Sequence, residues 1–283
     1  MNTGGEGTAA SGQAEKGTRF RDLHRREGAF VIPNPWDAGT ARLLAQLGFE
    51  ALATTSAGYA FSLGKRDNEV GREQMMGHVA QLVAATDLPV SADLENGFGD
   101  DPATVAETIW QAAAAGLVGA SIEDATARAE DPIYPFELAV ERIRAAVAAA
   151  RSLPFPFTLT ARAENFLVGR RDLKDTIARL QAYQEAGADV LYAPGLASRG
   201  EIETVVRSVD RPVNVIMGLP GLDLDVATLD EIGVKRISVG SSFARAALGA
   251  FLRAAHEVRE QGRFSYSAQA IAFKDINQLF GKS

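Results

Sequence analysis

The sequence predicts a (β/α)8 barrel, and three observations carry that expectation. From Phe30 onward, short apolar runs of β type alternate with amphipathic helical stretches. The alternation repeats about eight times with short connections, and a closed barrel of that kind typically needs ~250 residues, against the 283 present. Several helical stretches also stop at a glycine just before the next strand, at Gly48, Gly116, Gly187 and Gly233, where glycine suits the left-handed position that closes a helix. An open doubly wound sheet is the alternative. It usually carries a glycine-rich dinucleotide turn after its first strand, whereas Pro33-Asn34-Pro35-Trp36-Asp37 stands there.

In chain order, residues 1–17 are rich in Gly, Ser, Ala and Thr and hold no apolar signal-peptide core, so a flexible leader is expected. Residues 18–283 are read as a single barrel domain. The strands fall at 29–33, 51–55, 89–93, 119–122, 157–161, 189–193, 212–217 and 236–239. Helical spacing fills the intervals at 38–47, 72–85, 102–115, 136–151, 173–186, 201–209 and 226–232. Beyond the last unit, 243–261 reads as a long apolar-faced helix. The tail 267–280 adds another, with Ile271, Phe273, Ile276 and Phe280 on one face, to be buried on its own barrel or on a second subunit.

Composition narrows the function. Hydrophobic residues at 46% and charged residues at 23% suit a globular protein with a sizeable core. A net charge of -7 argues against nucleic acid or an anionic membrane as partner. The absence of cysteine excludes disulfides, thiolate zinc sites and cysteine nucleophiles. No apolar run approaches the length that spans a bilayer, and a cytoplasmic enzyme is the default expectation.

Acidic residues recur at the ends of the apolar runs. Asp93 and Glu95 close the third, Glu123 and Asp124 the fourth, Arg162 and Glu164 the fifth, and Asn214 lies on the seventh. In a barrel these strand ends meet at the face where active sites are built. Asp93 and Glu95 are two apart, so a continued strand points both the same way. Buried anions must be paired or bound to metal. Oxygen ligands at this density suit Mg2+ or Mn2+, holding an anionic substrate beside Arg162; a plain salt-bridge network is the competing interpretation. The second strand ends in Ala53-Thr54-Thr55-Ser56-Ala57-Gly58-Tyr59, a turn whose hydroxyls and free amides can surround a developing oxyanion or simply form a polar loop. Asp67 in the next loop can reach the same pocket. The three histidines, His24, His78 and His256, lie in helical stretches and are read as surface or packing residues. No Gly-x-Ser-x-Gly elbow or Walker loop is present.

Taken together, Thr55-Ser56-Ala57, Leu63-Gly64-Lys65-Arg66-Asp67, Asp93-Leu94-Glu95-Asn96-Gly97-Phe98-Gly99, Ile122-Glu123-Asp124 and Ala161-Arg162 give the chain a resemblance to the isocitrate lyase/phosphoenolpyruvate mutase superfamily from about Arg21 to Phe280. The resemblance implies a barrel that binds Mg2+ and a 2-oxo acid and stabilises a pyruvate enolate. It implies that Asp93 holds the metal, with Asp67, Glu95 and Glu123 around it, partly through water. It also implies that Arg162 binds carboxylate or phospho oxygens, and that Thr55 with the amides of Ser56 and Ala57 contacts the pyruvoyl oxygens. A homotetramer with C-terminal helices swapped between subunits is the implied assembly.

The departures are as informative. The lyases of the superfamily carry a Lys-Lys/Arg-Cys-Gly-His loop after the fourth strand, and the mutases place a lysine and an asparagine there; this chain has Ala125-Thr126-Ala127-Arg128-Ala129-Glu130-Asp131-Pro132. A mutase histidine after the sixth strand is replaced by Ala193-Pro194-Gly195. The expected activity is a Mg2+-dependent C–C lyase of a 2-oxo or 2-hydroxy acid, its proton supplied by water, Tyr59 or the loop. A phosphonopyruvate-type mutase and a 2-oxo acid binder without turnover are the alternatives.

Overall fold

The short apolar runs become eight parallel strands: β1 (Phe30–Ile32), β2 (Leu52–Ala53), β3 (Val90–Asp93), β4 (Gly119–Glu123), β5 (Thr158–Arg162), β6 (Val190–Tyr192), β7 (Val213–Ile216) and β8 (Arg236–Ser238). The computed structural model describes the backbone of residues 5–281 and the side chains of residues 12–281. The strands neighbour one another in the order β1-β8-β7-β6-β5-β4-β3-β2. Pairing of Phe30 with Arg236 joins first strand to last, which an open doubly wound sheet does not do. The Ala53 amide donates to the Pro33 carbonyl at 3.1 Å across the remaining seam, so the barrel is nearly closed.

The helices are α1 (Gly5–Leu23), α2 (Ala38–Gln46), α3 (Ser56–Ser62), α4 (Arg72–Ala84), α5 (Pro102–Ala114), α6 (Phe136–Arg151), α7 (Leu173–Glu185), α8 (Arg199–Arg207), α9 (Val226–Ile232), α10 (Ser242–His256) and α11 (Phe273–Phe280). Asp37, Asp101, Asp172, Ser198 and Asp225 begin five of them by accepting a backbone amide that the first turn leaves without a partner. Gly48, Gly116, Gly187 and Gly233 all take positive φ at the exits, as the spacing predicts. Ile109 and Ala112 of α5 and Ile143 and Ala146 of α6 join Ala120, Ile122 and Leu159 of the strands in one core. Both faces of these strands are covered, and the buried positions that are not apolar, among them Ser91, Ser121, Thr158 and Thr160, carry small hydroxyls.

Three stretches differ from the sequence expectation. Much of the expected flexible leader lies in α1: Gln13 Nε2 donates to the carbonyls of Ala113 and Leu117 at 2.8 and 3.0 Å, and Lys16 Nζ to Thr86 at 3.1 Å. Gly17 permits the approach, since a Cβ there would stand 2.3 Å from the Pro156 carbonyl oxygen. Tertiary contact thus overrides a weak local preference. The expected turn after β2 winds into α3, capped by the Thr55 side chain. The expected 243–261 helix divides into α10 and a π-helical turn, Glu257–Gln261, while the tail forms a 3-10 turn, Ser265–Gln269, before α11. The Gln46 side chain holds the Leu279 carbonyl, yet Phe251 and Phe273 stand 66% and 85% exposed. Among the described residues no helix is long and apolar enough to cross a membrane.

One line of register positions the interior. Glu123, Arg162, Tyr192, Asn214 and Arg236 pair successively across β4 to β8. All five line a single cavity of about 700 Å³ at the carboxyl ends of the strands.

Candidate active site

Arg162 organises the cavity. It ends β5 with its side chain 11% exposed and faces three carboxylates: Asp93 at 2.7 Å, Glu123 at 3.0 Å and Glu164 at 2.9 Å. Asp93 ends β3, takes the Ser56 hydroxyl at 2.8 Å on its other oxygen, and has its amide fixed by Thr54 Oγ1 at 2.9 Å. Ser56 lies 3.4 Å from Asp67, which reaches in from the loop after α3. Glu95 also faces the cavity, by a route the strand alternation does not describe. Its φ is +50°, a left-handed conformation rare for a non-glycine residue and often concentrated at functional sites. Its Oε1 is buried without a hydrogen-bond partner.

The acids outnumber the cation they share. Burial works against the Arg162 charge, but Glu123, Glu164 and Asp93 outweigh it and hold its pKa well above the ordinary value. Burial pushes the Glu95 carboxyl up to about 8, with the negative charges of Asp93 and Asp67 adding to the effect. Asp67 is raised by burial and then by Asp93. Burial raises Glu164 to about 7 against the pull of Arg162, and raises Glu123 well above its usual range despite the guanidinium beside it. A set of oxygen donors that repel one another, one with an orphaned buried oxygen, fits a divalent cation chemically. Among the described residues no three His, Cys, Asp or Glu side chains form a ready-made metal cage. Mg2+ does not require one, because it commonly takes one or two protein carboxylates and keeps several waters.

Most of the sequence-derived set converges. Thr55, Ser56, Ala57, Asp67, Asp93, Glu95, Glu123, Arg162 and Asn214 all line the cavity. Thr55 spends its hydroxyl oxygen accepting the Gly58 amide at 3.1 Å. Ser56 and Ala57 begin α3, where helix geometry leaves the first amides unbonded within the helix. Gly58 is required by close approach, since a Cβ there would meet Thr55 Cγ2 at 2.5 Å.

Two residues lie away from the cavity. Tyr59 is not part of the cavity lining; its ring stacks on His78 at 3.6 Å with a 7° interplanar angle, because α3 turns it outward. Asp124 points away from its neighbour Glu123, as adjacent strand residues do, and is bound by Tyr183 Oη at 2.6 Å and Arg179 at 3.1 Å behind the barrel. It still supports the site, accepting the Glu164 amide at 2.8 Å. Of the histidines, His24 and His78 are buried packing residues and His256 is an exposed partner of Glu260. In the loop after β4, Arg128 lines the cavity while pairing with Asp100 at 2.9 Å, and Tyr134 Oη donates to the same Asp100 at 2.6 Å.

Tyr192, Ser238 and Arg236 also line the cavity and are absent from the sequence-derived set. The signal for the last two was available: Arg236 and Ser238 are two apart in a strand, so both point inward once one does.

The sequence model of the phosphoenolpyruvate phosphomutase family matches residues 20–259. A solved structure from Burkholderia cenocepacia J2315, described as a candidate lyase/mutase, is 65% identical with a TM-score of 0.93, covering 95% of this chain and 97% of that one. Oxaloacetate decarboxylase of Paraburkholderia xenovorans is 30% identical over 82% of this chain and 78% of its own length. Phosphonopyruvate hydrolase, solved with oxalate and Mg2+, shares the fold at a TM-score of 0.83 and 24% identity, covering 94% of this chain and 95% of that one.

Proposed function

The chain belongs to the phosphoenolpyruvate phosphomutase family, within the isocitrate lyase/phosphoenolpyruvate mutase superfamily, and from that premise we propose that it is a Mg2+- or Mn2+-dependent lyase that breaks a C–C bond of a 2-oxo or 2-hydroxy carboxylic acid through a pyruvate-type enolate. Superfamily members include lyases and hydrolases of 2-oxo acids as well as phosphoenolpyruvate mutases. The observation that carries the proposal is the Arg162–Asp93–Glu123–Glu164 cluster beside the unpartnered Glu95.

Asp93 is the direct ligand in this reading, with Asp67, Glu95 and Glu123 around it. When bound, the cation supplies Lewis-acid stabilisation of an oxygen that gains negative charge. The chain's own residues do the rest. The α3 amides of Ser56 and Ala57 present donors to the same oxygen, where preorganised N–H groups act most strongly. Arg162 holds the carboxylate of the substrate and is itself held in place by Glu123 and Glu164. Asn214 contacts substrate from β7. With Tyr59 turned away, Glu164, whose carboxyl burial raises to about 7, takes over as source of the proton that quenches the enolate at carbon. The loop after β4, tied down by Arg128 and Tyr134 on Asp100, excludes water from that enolate.

The test is Mg2+-dependent release of a 2-oxo acid from a panel of 2-oxo and 2-hydroxy acids, followed for the wild type and Asp93→Ala. Loss of turnover in the folded variant supports the proposal; undiminished turnover removes the metal mechanism. Phosphorus NMR with phosphonopyruvate reads out the mutase alternative, which the match to the phosphomutase family favours and the missing loop lysine and asparagine oppose.

A further inference from the structure

Arg236 has no task in the reaction just described, and its surroundings are unusual for a buried cation. It opens β8 with its side chain inside the barrel, 4% exposed, on the wall of the same cavity. Its Nε donates to Asn214 Oδ1 at 2.8 Å, and Asn214 Nδ2 passes the chain on to Ser238 Oγ at 3.0 Å. Its Nη1 is buried with no partner. The groups that act on its charge are Tyr192, a phenol kept neutral by burial, and Arg162, itself a cation.

The contrast with Arg162 is the point. The Arg162 guanidinium holds three carboxylates, and that of Arg236, three register steps along the wall, holds none. Burying an unpaired charge is strongly unfavourable unless something compensates it. Asn214 occupies only Nε, so the outer edge of the fork remains, and two parallel N–H donors match the two oxygens of a carboxylate. Packing alone does not explain the residue, since Leu or Met fills the same volume without a charge to desolvate.

We infer that Arg236 is the seat of a second carboxylate of the substrate, so that the acid this chain cleaves is a dicarboxylate whose far end lies against β7 and β8. The inference rests on the proposed function, whose oxyanion side binds the near end. Asn214 is then a positioning residue for Arg236 as well as part of the lining, because its amide is fixed at both ends.

The test uses calorimetry with Mg2+ on wild type, Arg236→Met and Arg236→Lys, all checked for folding by thermal melting. The probes are oxalate, which has no atoms beyond those that match the 2-oxo acid end, and two matched pairs: oxaloacetate with 2-oxobutanoate, and 2-oxoglutarate with 2-oxopentanoate. The wild type should prefer the diacid of at least one pair by about tenfold or more, the range of a charge-assisted hydrogen bond. Arg236→Met should remove that preference by weakening the diacid about 10- to 100-fold, with oxalate affinity within about twofold of wild type, and Arg236→Lys should restore part of it. A wild type without diacid preference overturns the inference, and so does a variant that loses oxalate, monoacids and diacids alike. Failure of the wild type to bind oxalate with Mg2+ is a different result: it removes the proposed function, and the seat on Arg236 with it.

Discussion

Replacing Glu95 by Gln should stabilise the metal-free protein while damaging its function. Glu95 is raised from 4.5 to about 8 by burial and by the charges of Asp93 and Asp67. Because the folded pKa lies above the unfolded one, the unfolded chain binds fewer protons between those values. Stability is therefore full below about pH 4.5 and falls as pH rises towards 8. At pH 7 about 2.5 units separate the unfolded pKa from the solution pH, which corresponds to about 3 kcal/mol lost by the wild type. Gln keeps the shape and the left-handed backbone but never ionises, so the variant recovers that amount. For 283 residues the gain amounts to about 5 °C in Tm. Unfolding in EDTA at pH 5, 7 and 8 measures it: the advantage should shrink to roughly 1 kcal/mol at pH 5 and widen at pH 8. Saturating Mg2+ should stabilise the wild type by about 2.7 kcal/mol at a hundredfold excess over Kd and the variant by much less. A variant less stable than wild type in EDTA, or an advantage independent of pH, would refute the account of Glu95 as a repelled, cation-seeking carboxylate.

The same proton governs metal affinity. Apparent Mg2+ binding should strengthen about tenfold from pH 7 to pH 9 and level off above the Glu95 pKa near 8, with proton release on binding at pH 7; flat affinity over that range contradicts the assignment. Arg142 is fully buried, donates to the carbonyls of Asn96, Gly99 and Asp100, and lies 4.1 Å over the Tyr134 ring. Arg142→Met strands those carbonyls and should cost about 3 kcal/mol in denaturant unfolding, with weaker substrate binding because the segment after Glu95 loosens. We expect the exposed apolar side chains of α10, Phe251 above all, to be covered by a second subunit: light scattering should show an oligomer for the wild type and a smaller species for Phe251→Asp.

The barrel was legible because burial on both faces writes the same signal into every strand. Val90, Ala120, Ile122 and Leu159 could not be polar without a hydrogen-bond partner for the buried group, and the exits at Gly116 and Gly187 admit no bulkier residue without strain. What escaped was set by contacts distant in sequence. The segment from Gln13 to Phe20 is helical against α5 and the barrel floor, and nothing in its mostly polar composition announces the carbonyls of Ala113 and Leu117 that tie it down. The outward turn of Tyr59 depends in the same way on α3, a helix so short that its one visible cue is Thr55 before an apolar stretch.

The site divides along the same line. Acids at strand ends are conspicuous because strand ends are where alternation breaks, so Asp93, Glu123 and Arg162 stand out one by one. Their pairing is a matter of register, which no single strand contains: Glu123 meets Arg162 only because Gly119 is aligned with Thr158. Arg236 was hidden by a subtler rule. It begins its strand instead of ending it, and on a tilted barrel wall a residue near the start of β8 shares a register line with the last residue of β5. A buried Arg at the start of one strand and an orphaned Glu after the end of another are both poor choices for stability taken singly. Facing one cavity, they make opposite ends of a field in which a cation and a dianionic acid each complete what the other end lacks.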